Sequence, residues 1–226
     1  MRAELNQHLS NEVSTKTVRR ELHNGGYHGR AAIRKPLLSS VNIQKRMLWC
    51  KDHKTWSPDQ WRRVIFSDES SFSLFPTSGR VYVWRQPKEA FNPDCLLPTV
   101  KHGGGSVMVW AAISRDSLGP IVALHGRINS KDYLNILGDQ VHPMCQTLFP
   151  EGDAIFQDDN APIHTARIVK NWHEEHDSEL EHMNWPPQSP DLNIIEHLWC
   201  TLEQQVRNRY PPPSCLDELE KVLMEE

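Results

Sequence analysis

The apolar positions of this chain recur first at helical spacing, then at strand spacing, and finally alternate between the two. In SNEVSTKTVRREL (10–22) Val18 and Leu22 form one apolar stripe, Ser14 stands where an N-cap belongs, and HNGG (23–26) ends the helix. The opposite face carries Lys16, Thr17, Arg19 and Arg20, with Arg30, Arg34 and Lys35 following. Pro36 interrupts the pattern, and VNIQKRMLWCKDHK (41–54) resumes it as a basic connecting helix. In WSPDQWRR (56–63), Ser57, Pro58 and Gln60 make a capping signature. Strand spacing then takes over in VIFSDESSFSLF (64–75), GRVYVWR (79–85), the apolar end of KHGGGSVMVWAAIS (101–114) and GPIVALHGRIN (119–129). The remainder reads helix (130–149), short strand (153–159), helix (164–176), brief strand with a proline-punctuated loop (178–190), and helix (194–210). In the last helix Ile195, Leu198, Leu202 and Val206 mark the buried face. This order predicts a mixed α/β domain behind a small helical segment.

Composition narrows the function classes. The chain has 226 residues, 38% of them hydrophobic, enough for one good-sized domain. Its longest apolar run, VMVWAAI (107–113), is far short of the roughly 20 residues of a membrane span, and the first residues lack a signal-peptide core. Five cysteines without a CxxC pair argue against a disulfide framework or a structural zinc site and fit a reducing cytosolic or nuclear setting. Charge is unevenly placed: residues 1–60 hold 11 Lys and Arg against 5 Asp and Glu, whereas the remaining 166 hold 14 against 24. A basic arm on an acidic body points to a nucleic-acid-binding segment ahead of a domain with other work. In the 14–22 helix, long cations would reach phosphates and Thr17 or an arginine would reach base edges.

Three carboxylate positions carry candidate chemistry. Asp68 ends the first strand, Asp158 or Asp159 ends a later one, and Glu196 lies in the first turn of a helix behind a rigid proline loop. A single acid at such a place is commonly a turn former or helix cap. Three that converge repel one another unless cations lie between them, and all-oxygen donors suit Mg²⁺ or Mn²⁺. Two such ions, about 4 Å apart, serve in-line phosphoryl transfer. Strand alternation says that one aspartate of the 158–159 pair faces in and one out, without choosing between them.

The motifs IFSDES (65–70), YVWR (82–85), KHGGGSVMVWAAIS (101–114), FQDDNAPIHTA (156–166) and WPPQSPDLNIIEHLW (185–199), in that order, resemble the Tc/mariner superfamily of cut-and-paste DNA transposases across about residues 12–210. The resemblance implies an RNase-H-like, retroviral-integrase-like catalytic core with a DDE triad, preceded by an all-α helix-turn-helix segment. It assigns the catalytic and metal-binding acids to Asp68, Asp159 and Glu196, taking Asp159 because it directly precedes Asn160, and so makes Asp158 an exposed bystander. It also implies two Mg²⁺ or Mn²⁺ ions, and DNA contact at the glycine strip Gly103, Gly104 and Gly105. An auxiliary role near the scissile phosphate falls to His164. Its expected partners are double-stranded DNA (transposon inverted repeats and target) and further copies of the chain, with no membrane and a nuclear location. The implied organisation is a helix-turn-helix segment at 1–35, a basic linker at 36–60 and a catalytic domain at 61–226.

Departures from the family pattern are specific. Asp159 and Glu196 stand slightly farther apart than is commonest, with the extra residues in HEEHDSELEHMN (173–184), a surface-like stretch. Ile194 replaces a usual proline, and only one helix-turn-helix unit is legible, which resembles the second of the family's pair. The chain also stops early for the family, at LDELEKVLMEE. These departures raise a second reading, a shortened or host-adopted derivative that binds DNA without transposing it. HEEH (173–176) does not meet the HExxH zinc pattern, because Asp177 stands where the second histidine belongs. The twelve histidines lack ligand spacing and read as solvated or capping residues, and the tryptophans read as core.

Overall fold

The computed structural model describes residues 13–30, 37–75, 85–89, 92 and 104–226. The chain divides into two compact units, Met1–Leu37 and Leu38–Glu226. The expected strand at 79–85, apart from Arg85, and the residues Arg34, Lys35 and Gly103 lie outside the described residues. In the first unit, α1 (Thr15–Asn24) starts where the sequence places it. Ser14 Oγ accepts from the Thr17 amide at 3.1 Å, and Gly25 caps the other end. Lys16, Arg19 and Arg20 are exposed along it, as is Arg30 beyond it, and Thr17 is half-buried with its hydroxyl 2.9 Å from Ser14 Oγ.

The second unit begins with α2 (Ser40–His53) and α3 (Pro58–Arg62), and α3 carries the capping box read from Ser57 and Gln60. Five strands follow: β1 (Val64–Ser73), β2 (Ser106–Ser114), β3 (Leu118–Leu124), β4 (Ala154–Gln157) and β5 (Leu180–His182). They form one sheet in the order β3-β2-β1-β4-β5. β1 and β3 flank β2 antiparallel, whereas β1–β4 and β4–β5 are parallel. Parallel neighbours need a crossover, and α4 (Ser130–Ile136), α5 (His142–Leu148) and α6 (Arg167–Glu175) supply it. The predicted 130–149 helix is thus broken. Pro143 offers no N–H, and a π-helical stretch, Leu137–Val141, joins α4 to α5.

Because helices cover both faces, the period-two strands bury both of their sides. Val64, Phe66, Val107, Val109 and Ile155 join Trp199 and Val206 of α7 (Ile195–Asn208) and Leu219 and Leu223 of α8 (Leu216–Glu225) in one core. Ile65, Trp110, Ala154 and Phe156 face Tyr133, Leu137, Val141 and Val169 in the other. Helix α8 was not legible in LDELEKVLMEE, yet its Leu219, Val222 and Leu223 complete the first core. α2, read as a basic connecting helix, and α3, read as the opening of the second domain, both belong to this unit: Trp49, Trp56, Trp61 and His53 form a ring cluster that meets Trp185 and Phe66. Trp110, Trp185 and Trp199 are buried core residues, and Cys50, Cys145, Cys200 and Cys215 are free thiols.

Two glycine positions are tightly fixed. Gly104 and Gly105 have φ of +76° and +95°, and a Cβ on Gly104 would stand 2.7 Å from the Phe75 ring, so this part of the strip has a packing reason of its own. A Cβ on Gly119 would lie 2.4 Å from the Ala112 carbonyl oxygen, which is backbone and has no means to swing aside. Gly119→Ala is therefore expected to destabilise the chain by about 2–3 kcal/mol, read as a fall in thermal midpoint with no new spectral class of unfolded state. An unchanged midpoint would show that the β2–β3 pairing yields there.

Candidate active site

Alternation along β1 and β4 decides where each acid points. Asp68 shares the face of Val64 and Phe66 and meets α7, where Trp199 Nε1 donates to Asp68 Oδ2 at 3.4 Å. Glu69 turns to the opposite side, with its Oε1 3.3 Å from His164 Nε2. Past β4, Asp158 continues on the Phe156 face and Asp159 returns to the Asp68 side. Glu196 is delivered by the first turn of α7. Asn193 sets that turn, because its side-chain amide donates to the Ser67 carbonyl at 3.0 Å and its Oδ1 accepts from the Ile195 amide at 3.2 Å. Asp68, Glu69, Asp159, Asn160, Gln188 and Glu196 line one cleft of about 490 Å³. Its far wall is the proline loop, which Asn160 holds by donating to the Trp185 carbonyl at 2.9 Å.

The 158–159 pair corrects the sequence reading in one respect. Asp158 is not an exposed bystander: it is 3% exposed, because the sheet is covered on that face as well. Its Oδ2 accepts from the Tyr133 hydroxyl at 2.7 Å, and its Oδ1 lies 2.8 Å from His182 Nε2. Asp159 is the half-exposed one and lines the cleft, and His164 Nδ1 and the Ala161 amide both reach its Oδ1 at 2.7 Å, so Oδ2 stands outside both bonds. His164 is 4% exposed, its ring 4.0 Å from that of Tyr133 and its two nitrogens turned to Asp159 and Glu69. It meets the cleft through its contact with Asp159.

The electrostatics follow this geometry. Burial pushes the Asp68 carboxyl up to about 7, with the nearby charges of Glu69 and Glu196 adding to the rise against the Trp199 indole and a backbone hydrogen bond. Burial also opposes ionisation of Asp159, but the bonds from His164 and the Ala161 amide outweigh it and hold that carboxyl below its usual range. For His164, burial works against the charged ring, yet the partners Asp159 and Glu69 raise it to about 10. The cleft is therefore a set of oxygen donors with an excess of negative charge.

A further support was not legible. Arg46 of α2 forks onto Asp191 (2.8 Å and 2.6 Å) and donates to the Gln188 carbonyl at 2.9 Å, while Asn42 donates to Gln188 Oε1 at 2.9 Å. Gln188 holds φ of +51°, a conformation that a side-chain-bearing residue keeps only under such clamping. Arg46 is remote in sequence from the loop and looked like one more cation of a basic helix. The stretch 173–184, read as surface, also hides structure: His173 is buried in α6, its ring stacked 3.8 Å from that of His182. Burial, and after it the neighbouring His182, lowers His173 to about 4.

Comparison with known proteins agrees with this architecture. The family model described as DDE superfamily endonuclease matches residues 63–220, and a Tc3-type helix-turn-helix model described as Transposase matches residues 1–55. The chain is 41% identical over 194 residues to the transposable element Tcb1 transposase of Caenorhabditis briggsae, covering 86% of this chain and 70% of that one. It is 40% identical over 193 residues to the Tc1 transposase of Caenorhabditis elegans, covering 85% and 70%. A Mos1 transposase paired-end complex with a left transposon end superposes with a TM-score of 0.71 at 22% identity, over 95% of this chain and 63% of that one. The Mos1 catalytic domain with raltegravir and Mg gives 0.61 at 20% identity, over 84% of each, which makes the five-stranded domain RNase-H-like. The chain thus spans less than two thirds of the Mos1 chain in its DNA complex and somewhat more of its nematode relatives. With a family match over most of its length, the chain belongs to the DDE superfamily endonucleases, among the Tc1/mariner transposases.

Proposed function

We propose that the chain is a DNA transposase that cleaves DNA at transposon ends and transfers the freed 3′ end into target DNA, with Asp68, Asp159 and Glu196 as its catalytic acids. The observation that carries this reading is their convergence: side chains from β1, the end of β4 and the start of α7 line one cleft. The donor set fits divalent ions, because all three groups are carboxylates, and burial first, then the charges of Glu69 and Glu196, raises the proton affinity of Asp68. Asp68, Asp159 and Glu196 would hold two Mg²⁺ or Mn²⁺ ions. When bound, these supply Lewis acidity for the attacking water or 3′-hydroxyl and for the leaving oxygen.

The chain's own residues do the rest by position. The His164 imidazolium fixes Oδ1 of Asp159, and Oδ2 stands outside that bond. The Trp199 indole orients Asp68 from beneath, and Asn193 locks the first turn of α7 to β1, which sets the reach of Glu196. The exposed cations Lys16, Arg19, Arg20 and Arg30, with Thr17, are the proposed DNA contacts of the N-terminal unit, joined by Arg34, Lys35 and the glycine strip 103–105. Double-stranded DNA is the partner, two or more copies of the chain assemble on paired ends, and the site of action is the nucleus. The intact cleft weighs against a derivative that only binds DNA.

The test is a cleavage assay on linear DNA that carries the inverted repeats flanking this gene. Nicking at the repeat termini is expected with Mg²⁺ or Mn²⁺ and not with EDTA. Equal cleavage with and without divalent ion, or binding with no cleavage in either metal, would overturn the reading.

A further inference from the structure

Behind the cleft, on the other face of the sheet, three side chains from three elements meet. Asp158 follows β4, His173 lies in the last turn of α6, and His182 ends β5. One ligand-capable atom of each lies within 4.8 Å of the other two. Asp158 and His173 are 3% and 6% exposed, whereas His182 is about a third exposed at its side chain, so the cluster is closed on the protein side and open on one.

Part of this cluster is a satisfied polar network. Tyr133 donates to Asp158 Oδ2, and His182 Nε2 pairs with Oδ1. That network does not account for His173, whose two ring nitrogens are buried without a hydrogen-bond partner. An imidazole removed from water with nothing to bond is costly, and packing against Phe156 and Trp172 would be served as well by an apolar ring. A nitrogen lone pair beside a second imidazole and a carboxylate is instead the donor set of a borderline metal ion.

We propose that Asp158, His173 and His182 bind one late first-row divalent ion, zinc foremost, at a site separate from the catalytic cleft. Bonds of about 2.0–2.2 Å at tetrahedral angles place ligand atoms about 3.3 Å apart, so the spread must tighten and the His182 ring must turn out of its 3.8 Å stack on His173 for both lone pairs to meet one ion. His182, at the surface, is the group able to swing. On binding, the hydrogen bond between His182 and Asp158 opens and Oδ1 turns from hydrogen-bond partner to ligand. Tyr133 keeps its bond to Oδ2 and fixes the carboxylate, the outer-shell support that metal-bound carboxylates have. The solvent-exposed side leaves a position for water. Two nitrogens and one oxygen select against Mg²⁺, whereas the all-oxygen cleft favours it, so the two sites sort ions by ligand chemistry.

The test titrates Co²⁺ into the tag-free full chain in excess Mg²⁺ and follows visible absorption, with Zn²⁺ then used to displace it. The same titration is run on Asp68→Asn/Asp159→Asn/Glu196→Gln, on His173→Phe and on His182→Ala. One equivalent is expected to bind in the unaltered chain and in the triple variant. Loss of an outer-shell partner alone costs about 10–100-fold in affinity, so removing a ligand in either histidine variant is expected to weaken binding at least ~100-fold. Thermal melts without metal check folding, and should His173→Phe not fold, the surface variant His182→Ala decides. No stoichiometric binding, binding lost in the triple variant, or affinity unchanged in the folded histidine variants would overturn the proposal.

Discussion

Asp159→Asn is expected to lower metal-dependent nicking per folded molecule by about 10²–10³-fold or more, on top of a modest loss of stability from its bond to His164, whereas Asp158→Asn is expected to lower the thermal midpoint and leave nicking per folded molecule nearly unchanged. Asp159 is half-exposed and lines the cleft together with Asp68 and Glu196. Neutralising it removes a charged ligand where charge is needed and leaves an amide that keeps the Ala161 contact. Asp158 is buried against Tyr133 and His182 and points away from that space. Its amide keeps an acceptor for the tyrosine but loses the charge-assisted bond to His182, for about 1–2 kcal/mol of stability. Nicking per folded molecule and the melting midpoint, measured on both variants, separate the roles. Equal loss of activity in the two would remove the basis for choosing Asp159.

The second large effect belongs to a residue outside the cleft. Arg46→Ala is expected to cut nicking by about 10–100-fold with less than about 1 kcal/mol lost in stability. The stability term stays modest because the pair is only partly buried, with Asp191 48% and Arg46 17% exposed at their side chains. The activity term follows from position, since the fork holds the loop that carries Gln188 in its left-handed conformation immediately ahead of Glu196. A shift of about 1 Å in a catalytic group costs on the order of 10²-fold. Arg46→Lys keeps the charge but not the two-pronged geometry and is expected to recover only part of the rate. A fully active Arg46→Ala chain would show that the loop holds its shape unaided.

The two results mark where the sequence was legible and where it was not. Periodicity read β1, β2, β4, α1, α6 and α7, and turn chemistry read the caps of α1 and α3, because local spacing reports which side of an element packs. The motif order located Asp68, Asp159 and Glu196, and the structure brings these three to one cleft. What pattern does not report is contact across the sheet order. Asp158 was the expected outward member because the resemblance took Asp159 as the inward one, but a sheet covered by helices on both sides has no outward face there. Arg46 and Asp191 are far apart along the chain, as are Asp158, His173 and His182, and no local spacing joins them. Helix α8 was missed because LDELEKVLMEE was weighed for where the chain ends and not for its own period.

The order β3-β2-β1-β4-β5 also has a consequence in time. The antiparallel half closes between strands that lie near one another in the chain, whereas Val64 of β1 finds its partner in Ile155 of β4, across most of the domain. Contacts of long sequence separation carry the larger loop-closure cost and form late in folding. Asp68 and the β2–β3 hairpin can therefore be in place while Asp159 and Glu196 are still unplaced. During synthesis and refolding, the three acids are not gathered in one cleft until β4 docks, so the full set of oxygens comes only with the completed fold.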